Sequence, residues 1–423
     1  MNHFETRSGD LYCEDVSLAA IAQAVGTPVY VYSQATLERH FHVFREALRA
    51  HPALGEPLIA YAVKANGNVS VLRVLGALGA GADTVSEGEI RRALAAGIPA
   101  DRVVFSGVGK RPQEIEFALR AGVAEINVES EPELDLIAAI AERLTVQAPV
   151  VFRVNPDVEA GGHAKIATGK AENKFGVSFT EARRLYAKAA DHPHLRPLGV
   201  ACHIGSQITD LTPFEAAFTK MRGLVETLRA EGRTVERLDL GGGLGVPYFN
   251  MPEPPSPADY AAMIARVIGG LDVQLAFEPG RMIAANAGVL VAQVLHRHER
   301  PEGRKFLVLD AAMNDLLRPA MYDAFHDIRP VAATNAEPEP FDVVGPVCET
   351  GDTFTRDRIM PSLDSGDLVA FMSAGAYGAA MASEYNSRPL VPEVLVHGDR
   401  FAIIRRRPTY EEMLADEAPA SWL

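Results

Sequence analysis

The stretch Leu58-Ile-Ala-Tyr-Ala-Val-Lys64 is an apolar run that ends in a lysine, and it opens a repeating pattern. Eight short apolar runs occur between residues 58 and 278, with a helix-like segment between each run and the next. The runs are 58–63, 82–85, 103–105, 124–128, 149–154, 198–203, 237–240 and 275–278. Eight alternations of strand and helix are typical of a (β/α)8 TIM barrel, whereas a doubly wound sheet usually has fewer strands. We therefore predict an α/β barrel over residues 34–285.

The pattern changes after residue 285, where strand-like runs follow one another with Gly- and Pro-rich connections and little helix. These runs are 289–295, 305–309, 341–344, 368–372 and 394–405. Within the last run, His397-Gly-Asp-Arg400 predicts a hairpin turn. We predict a C-terminal β domain over 286–423, joined by the N-terminal segment 1–33, whose run 29–32 is also strand-like.

Composition and charge exclude several classes of protein. The chain is 48% hydrophobic and 23% charged, as in ordinary globular proteins, and no run reaches the roughly 18 apolar residues of a membrane helix. Its 41 Lys and Arg against 55 Asp and Glu give a net charge of −14, which argues against nucleic acid or an anionic membrane as partner. The first residues lack the basic and apolar regions of a signal peptide. Three scattered cysteines form neither a disulfide framework nor a metal clasp, so we expect a cytoplasmic protein.

A barrel enzyme keeps its chemistry at the carboxyl ends of its strands. The residues at these ends are all polar or glycine: Lys64, Ser86, Ser106, Asn127, Asn155, His203, Gly241-Gly-Gly243 and Glu278. Polar loops alone would explain some of them, but a Lys, His or Glu at an apolar strand tip must be partnered or neutralised. Two connections near these ends, 155–179 and 241–257, are long, as functional lids often are.

Lys64 shares one face of its strand with Ala60 and Ala62 if the side chains alternate up to the end of the run. An inward lysine above two alanines leaves room for a bulky ligand, and its desolvated amine would be a good nucleophile for a Schiff base. The alternative, a surface lysine, fits poorly with the six apolar residues before it. His203 projects above two small residues by the same count.

Two glycine-containing turns follow the seventh and eighth runs, Gly241-Gly-Gly-Leu-Gly245 and Glu278-Pro-Gly-Arg281. The loops at these two positions are the common phosphate site of the fold. The triplet is no Rossmann fingerprint, because Val246 stands at its sixth position. A strand-tip lysine with a phosphate site suggests pyridoxal 5′-phosphate, whose aldehyde forms an imine with lysine. Glu278 beside the pyridine nitrogen would favour the protonated ring, which suits decarboxylation.

Seven motifs that follow one another from residue 61 to residue 378 carry a family resemblance. They are Tyr61-Ala-Val-Lys-Ala-Asn66, His203-Ile-Gly-Ser-Gln207, Gly241-Gly-Gly243, Glu278-Pro-Gly-Arg281, Arg318-Pro-Ala-Met-Tyr322, Gly345-Pro-Val-Cys-Glu-Thr-Gly-Asp352 and Gly375-Ala-Tyr-Gly378. The chain resembles the alanine-racemase-like (fold type III) pyridoxal phosphate-dependent decarboxylases. The resemblance implies decarboxylation of meso-2,6-diaminopimelate to L-lysine and CO2, the last step of lysine biosynthesis. It also implies a homodimer whose active sites lie between the barrel of one chain and the β domain of the other.

The resemblance implies how the cofactor would be held. Lys64 would bind it as an imine, His203 would stack on the pyridine ring, and Glu278 would pair with the ring nitrogen. The residues that would bind its phosphate are Ser206, Gly243, Gly280, Arg281 and Tyr377.

The resemblance also implies the substrate contacts and the proton donor. The substrate's distal carboxylate would be held by Arg281, Arg318 and Tyr322, with Tyr377 nearby. Glu349 would meet its distal ammonium group. Cys348 would donate the proton that replaces CO2, from across the dimer interface.

Other functions share part of this pattern. Ornithine, arginine and carboxynorspermidine decarboxylases would keep Lys64, Glu278 and the phosphate loops. The residues that discriminate are Glu349 beside Cys348 and the pair Arg318 and Tyr322, because a terminal amine alone would leave two guanidinium groups without a carboxylate. An alanine racemase would place an arginine near the pyridine nitrogen. A catalytically silent relative would be expected to lose Lys64 or Cys348. We interpret His296-Arg-His298 as a strand edge and predict no metal site.

Overall fold

The structure, a computed structural model, describes residues 2–159, 174–248 and 253–422. These residues form two compact units. The barrel unit contains residues 38–159, 174–247 and 253–283, and the β unit contains residues 2–37, Tyr248 and residues 284–422.

The strands, in chain order, are β1 (Phe4–Arg7), β2 (Asp10–Cys13), β3 (Val16–Ser17), β4 (Val29–Ser33), β5 (Leu58–Ala62), β6 (Gly81–Thr84), β7 (Val103–Phe105), β8 (Glu125–Val128), β9 (Ala148–Arg153), β10 (Leu195–Ala201), β11 (Arg237–Asp239), β12 (Gln274–Phe277), β13 (Gly288–Glu299), β14 (Lys305–Leu309), β15 (Ile328–Pro330), β16 (Pro338–Val344), β17 (Thr353–Pro361), β18 (Leu368–Phe371), β19 (Glu393–His397) and β20 (Arg400–Arg405). The α-helices are α1 (Leu18–Val25), α2 (Gln34–Arg49), α3 (Val69–Ala77), α4 (Glu87–Ala95), α5 (Pro112–Ala121), α6 (Glu131–Leu144), α7 (Phe179–Ala190), α8 (Thr212–Ala230), α9 (Pro257–Ile268), α10 (Arg281–Ala284), α11 (Arg318–Tyr322) and α12 (Tyr410–Ala415).

Strands β5 to β12 close into a barrel in which neighbouring strands are parallel, so the predicted (β/α)8 fold is confirmed. Side chains alternate between the barrel interior and the surrounding helices. Ala276 packs inside with Ala60 and Val104, whereas its neighbour Phe277 meets the ring of Phe44 on α2 edge to face, with ring centroids 5.8 Å apart. Small inward residues therefore lie beneath the carboxyl ends of the strands.

Serines begin four of the helices by accepting a hydrogen bond from the backbone N–H three residues further on: Ser86, Ser130, Ser178 and Ser256. Ser86, which the sequence placed at a strand end, is thus the N-cap of α4. Its position is explained by the short connection from β6 to α4.

Two barrel strands are shorter than predicted at the ends that carry site residues. β5 ends at Ala62, whose N–H donates to Pro279 O at 3.1 Å, and Lys64 lies in the 3-10 turn Val63–Ala65. β10 ends at Ala201, so His203 belongs to the following loop. The predicted placement of both side chains by strand alternation is therefore wrong, although both residues follow their strands within two residues.

The β unit is a mixed sheet with the order β17-β16-β14-β13-β4-β19-β20, and β18 pairs with β13 and β15. β4 lies between antiparallel β13 and parallel β19, so the N-terminal run joins this sheet as predicted. The predicted hairpin turn connects β19 to β20 with His397 opposite Arg400. His296 and His298 lie on β13, as expected of a strand.

No pattern in the sequence predicts β17, which pairs with β16. Its centre carries Arg356, Asp357 and Arg358 in place of an apolar alternation, and Asp357 has a left-handed φ of 48° where the pairing register shifts. The small sheet formed by β1, β2 and β3 was also missed. No helix in the described residues is long and apolar enough to cross a membrane.

Candidate active site

A cavity of about 190 Å³ lies at the carboxyl ends of the barrel strands. Five of the predicted strand-end residues line it, together with Arg153 and Phe175: Lys64, Ser106, Asn127, His203 and Glu278. The structure therefore brings an amine, an imidazole and a carboxyl group to one space.

Lys64 is held by a carboxylate that the sequence analysis did not identify. Its Nζ donates to Asp83 Oδ2 at 2.7 Å; the Asp83 side chain is fully buried, while the Lys64 side chain keeps 36% of its surface exposed. Asp83 Oδ1 is buried too and has no hydrogen-bond partner among the described residues. A buried carboxylate at the end of β6 thus keeps an accessible amine at the cavity.

Glu278 is part of a buried pair of acids. Burial raises the pKa of Glu278 well above its usual range, and the charges of Asp239 and Asp83 add to the effect. Burial also raises the pKa of Asp239, to about 6. Asp239 accepts a hydrogen bond from Glu278, which keeps its proton, and another from Gly241 N at 2.7 Å. Glu278 becomes a carboxylate readily only where a positive charge comes close.

His203 is a neutral imidazole. The N–H of Gly242 donates to its Nδ1 at 3.2 Å, which places the ring proton on Nε2. Burial, with the positive charges of Lys64 and Arg153, lowers the pKa of His203 well below its usual range. The ring therefore offers an aromatic face without a charge that would compete with a cationic ligand.

The glycine turns approach their neighbours too closely for side chains. A Cβ on Gly242 would lie 2.2 Å from Glu278 O, and one on Gly243 would lie 2.4 Å from Gly205 O. A Cβ on Gly280 would lie 3.0 Å from Ala62 Cβ and 3.1 Å from Ala65 Cβ, on the two sides of Lys64 in the chain. The loops after four strands thus meet backbone to backbone at the mouth of the barrel.

Two predicted phosphate ligands are in contact there. Arg281 Nη2 donates to Ser206 Oγ at 3.2 Å, so a guanidinium and a hydroxyl converge from the loops after β12 and β10. The amide of Gln207 pairs with both backbone groups of Val246, at 2.7 Å and 3.1 Å. The pairing of Gln207 with Val246 holds the loop after β11 against the loop after β10, which carries Ser206.

In the β unit, Cys348 and Glu349 lie in the turn between β16 and β17. Asp352 organises this turn, because its Oδ2 accepts a hydrogen bond from Val347 N at 2.7 Å. Gly345 is required beside it, since a Cβ there would lie 2.4 Å from Asp352 Oδ2. Cys348 is exposed in this chain, with its thiol on a turn of fixed shape.

The other predicted residues of the β unit lie on separate elements. Arg318 begins α11 and Tyr322 ends it. Arg318 is buried and its Nη1 donates to His326 Nε2 at 2.9 Å. Tyr377 has a left-handed φ of 57°. Glu349 Oε2 accepts a hydrogen bond from the hydroxyl of Tyr385 at 2.9 Å.

Known proteins are similar to this chain over its whole length. The family described as pyridoxal-dependent decarboxylase, pyridoxal binding domain, matches residues 34–285. A diaminopimelate decarboxylase of Zymomonas mobilis is 49% identical over 421 residues, which are 99% of each chain. The chain belongs to the pyridoxal-dependent decarboxylases.

Solved structures of the same family have the same fold. Diaminopimelate decarboxylase from Helicobacter pylori, complexed with L-lysine, has a TM-score of 0.90 and 43% identity and covers 94% of this chain and 98% of its own. The enzyme from M. jannaschii, also in complex with L-lysine, has a TM-score of 0.94 and 36% identity over 100% of both chains. The predicted alanine-racemase-like fold is thus confirmed.

The barrel cavity fits pyridoxal phosphate, the cofactor of these decarboxylases. Lys64 supplies an amine for an aldehyde, and Glu278 is a buried acid whose ionisation needs a cation such as a protonated pyridine nitrogen. Ser206 and Arg281 supply donors for a phosphate beside backbone turns that a Cβ would obstruct. Asn127 Oδ1, in the cavity wall, is buried with no hydrogen-bond partner among the described residues.

The predicted residues of this decarboxylase divide between its two units. Those in the barrel unit are Lys64, His203, Ser206, Gly243, Glu278, Gly280 and Arg281, and those in the β unit are Arg318, Tyr322, Cys348, Glu349 and Tyr377. Asn155 does not line the cavity, and its Oδ1 accepts a hydrogen bond from Asp157 N. Of the two long loops, residues 160–173 and 249–252 lie outside the described residues.

Several residues that shape the site were missed. Asp83 and Asp239 interrupt apolar strands, and that interruption was the available signal. Asp352 stood in a quoted motif without a role. Arg153, whose guanidinium stacks on the Phe175 ring at 4.7 Å, and His326 follow no sequence pattern that we can name.

Proposed function

We propose that this pyridoxal phosphate-dependent decarboxylase converts meso-2,6-diaminopimelate to L-lysine and CO2, the last step of lysine biosynthesis. The observation that carries the proposal is the convergence of the Lys64 amine and the buried Glu278 acid on one cavity at the barrel mouth. The diaminopimelate decarboxylases that the chain resembles over its full length support it, as do the lysine complexes of two of them.

Residues of the barrel unit would hold the cofactor. Lys64 would bind its aldehyde carbon, and the loops with Ser206, Gly243, Gly280 and Arg281 would bind its phosphate together with Tyr377. The bound cofactor supplies an electron-accepting ring that stabilises negative charge on the α-carbon when CO2 leaves. Asp83 offers a partner for the Lys64 ammonium whenever the amine is released.

Three further barrel residues would set the charge around the ring. Glu278 would pair as a carboxylate with the ring nitrogen and keep it protonated, which strengthens electron withdrawal. Neutral His203 would cover one face of the ring and keep water from it. Asp239 would carry the proton that Glu278 gives up, because the two acids are hydrogen-bonded.

Residues of the β unit would select the substrate and complete the reaction. Arg318 and Tyr322, with Arg281, would bind the distal carboxylate, and Glu349 would bind the distal ammonium. Cys348 Sγ would deliver the proton that replaces CO2 on the α-carbon. A substrate with amino-acid groups at both ends would satisfy all of these charges.

We propose a homodimer in which each active site combines the barrel unit of one chain with Cys348 and Glu349 of the other. The exposure of Cys348 in the single chain is consistent with a partner that covers it. We place the enzyme in the cytoplasm, where Cys13, Cys202 and Cys348 would stay reduced.

The test is product analysis. The protein loaded with pyridoxal phosphate should release equimolar CO2 and L-lysine from meso-diaminopimelate. Lys64→Ala should reduce turnover by orders of magnitude, whereas Lys188→Ala, at a half-exposed lysine on α7, should leave it unchanged. A loaded wild-type protein that leaves meso-diaminopimelate intact would overturn the proposal.

A further inference from the structure

His326 in the β unit is buried between two groups whose hydrogen-bonding character is fixed. Its Nδ1 lies 2.9 Å from Met372 O, and its Nε2 lies 2.9 Å from Arg318 Nη1. A carbonyl oxygen can only accept a hydrogen bond and a guanidinium can only donate one. Nδ1 must therefore carry the proton and Nε2 must accept, so the ring is neutral and in a single tautomer.

The attachment of His326 to the sheet is rigid. Met372 directly follows β18, and its N–H donates to the carbonyl of Asp327 at 2.8 Å, while its own carbonyl accepts from the His326 ring. The carbonyl of Asp327 and the ring of His326 are thus both tied to Met372, directly after the strand. An imidazole held in this way can fix the orientation of whatever it accepts from.

The group from which His326 accepts a hydrogen bond is the guanidinium of Arg318. The Arg318 guanidinium carbon also lies 5.2 Å from the centre of the Tyr248 ring, so an aromatic face and an imidazole nitrogen define the plane of the guanidinium from two sides. A planar guanidinium binds a carboxylate well only in the right plane. A neutral imidazole orients the guanidinium and leaves its positive charge intact. An acidic partner would cancel that charge.

We propose that His326 is a positioning residue for substrate selection: as a neutral acceptor anchored to Met372, it orients Arg318 toward the distal carboxylate of the substrate. This inference rests on the proposed function, because it needs a substrate that carries such a carboxylate. His326 itself would touch neither the cofactor nor the reacting carbon.

Two variants separate the accepting nitrogen from the rest of the ring. In His326→Asn, the side-chain amide can still donate to Met372 O, but the side chain is too short for its oxygen to accept a hydrogen bond from Arg318. In His326→Gln, the longer side chain can place an acceptor near Nε2. In the enzyme loaded with pyridoxal phosphate, His326→Asn should raise KM for meso-diaminopimelate about tenfold and keep kcat within about threefold of wild type. His326→Gln should have a KM within about threefold of wild type.

A ligand without the distal carboxylate provides the control. Cadaverine, which has the two amino groups of L-lysine and no carboxylate, should inhibit wild type, His326→Asn and His326→Gln with the same inhibition constant, because Arg318 has no carboxylate to bind. His397→Asn, at an exposed histidine at the end of β19, should change nothing.

The outcomes separate the two claims. A wild-type enzyme that does not decarboxylate meso-diaminopimelate overturns the proposed function and this inference with it. An active wild type whose Asn and Gln variants have equal KM values overturns the inference alone. So does a variant that loses kcat and binding of cadaverine together, because that pattern indicates a general structural role. A variant that does not fold is replaced by the other, whose KM is judged against the same expectations.

Discussion

At the scale of single residues, the site depends on acids that burial keeps protonated or paired. Lys64 is held by Asp83, and protonated Glu278 donates a hydrogen bond to Asp239, which also accepts one from the Gly241 N–H. These four side chains come from different strand ends, so closure of the barrel assembles them. The charge state of the Asp239–Glu278 pair can therefore be tested separately from catalysis.

Asp239→Asn should change how the stability of the cofactor-free protein depends on pH. The pKa of Asp239 in the folded protein, about 6, lies above its ordinary value of 3.8. The proton on Asp239 therefore stabilises the folded state fully below about pH 4, and this stabilisation is lost as the pH rises through 6. Urea unfolding between pH 4 and pH 7 should show wild type losing on the order of 2 kcal/mol relative to Asp239→Asn. The same slope in both proteins would show that Asp239 ionises normally.

Glu278→Gln keeps the size of the side chain and removes its ability to become a carboxylate. We expect kcat for decarboxylation to fall by at least about 10²-fold, equivalent to about 2.7 kcal/mol. Affinity for pyridoxal phosphate should fall less than tenfold, since the phosphate loops remain. Glu226→Gln, at an exposed glutamate of α8, is the matched control. An unchanged kcat in Glu278→Gln would remove the glutamate from the electron-withdrawing role.

At the scale of elements, periodicity predicted the barrel well and its functional ends less well. All eight barrel strands occur where the apolar runs predicted them, because alternating burial leaves a pattern in the sequence. The turn that carries Lys64 and the loop that carries His203 are set by contacts with loops distant in sequence, such as Pro279 O with Ala62 N and Gly242 N with His203. Such contacts leave no local pattern. β17 was missed because charged residues interrupt it.

The glycine turn after β11 offers a test at this scale. Gly242→Ala would place a methyl group 2.2 Å from the Glu278 carbonyl and force the two loops apart. We expect a loss of about 1–3 kcal/mol in the free energy of unfolding, with weaker binding of pyridoxal phosphate measured by titration of the cofactor-free protein. Gly223→Ala, on α8 with open space around the new methyl, should be neutral or slightly stabilising. Equal effects of the two substitutions would contradict close packing of the turn.

At the scale of the whole molecule, the residues proposed for one reaction are divided between the barrel unit and the β unit. The resemblance predicted this division and the homodimer, whereas composition and periodicity predicted neither. Subunit mixing tests the shared site. Lys64→Ala and Cys348→Ala chains, each nearly inactive alone, should regain roughly a quarter of wild-type activity after equal mixing, since half of the dimers are mixed and each has one intact site. No recovery after verified subunit exchange would show that both residues act within one chain.

The central claim is that the enzyme selects an amino acid with charged groups at both ends. The most direct measurement compares kcat/KM for meso-diaminopimelate, ornithine, arginine and L-lysine with the enzyme loaded with pyridoxal phosphate. When one α-carboxylate lies at the reacting position, only meso-diaminopimelate still has both a carboxylate for Arg318 and an ammonium group for Glu349. We predict that it is preferred by at least about 10²-fold, equivalent to about 2.7 kcal/mol in transition-state binding. Comparable turnover of ornithine or arginine would contradict the account and indicate a decarboxylase of simple diamino acids.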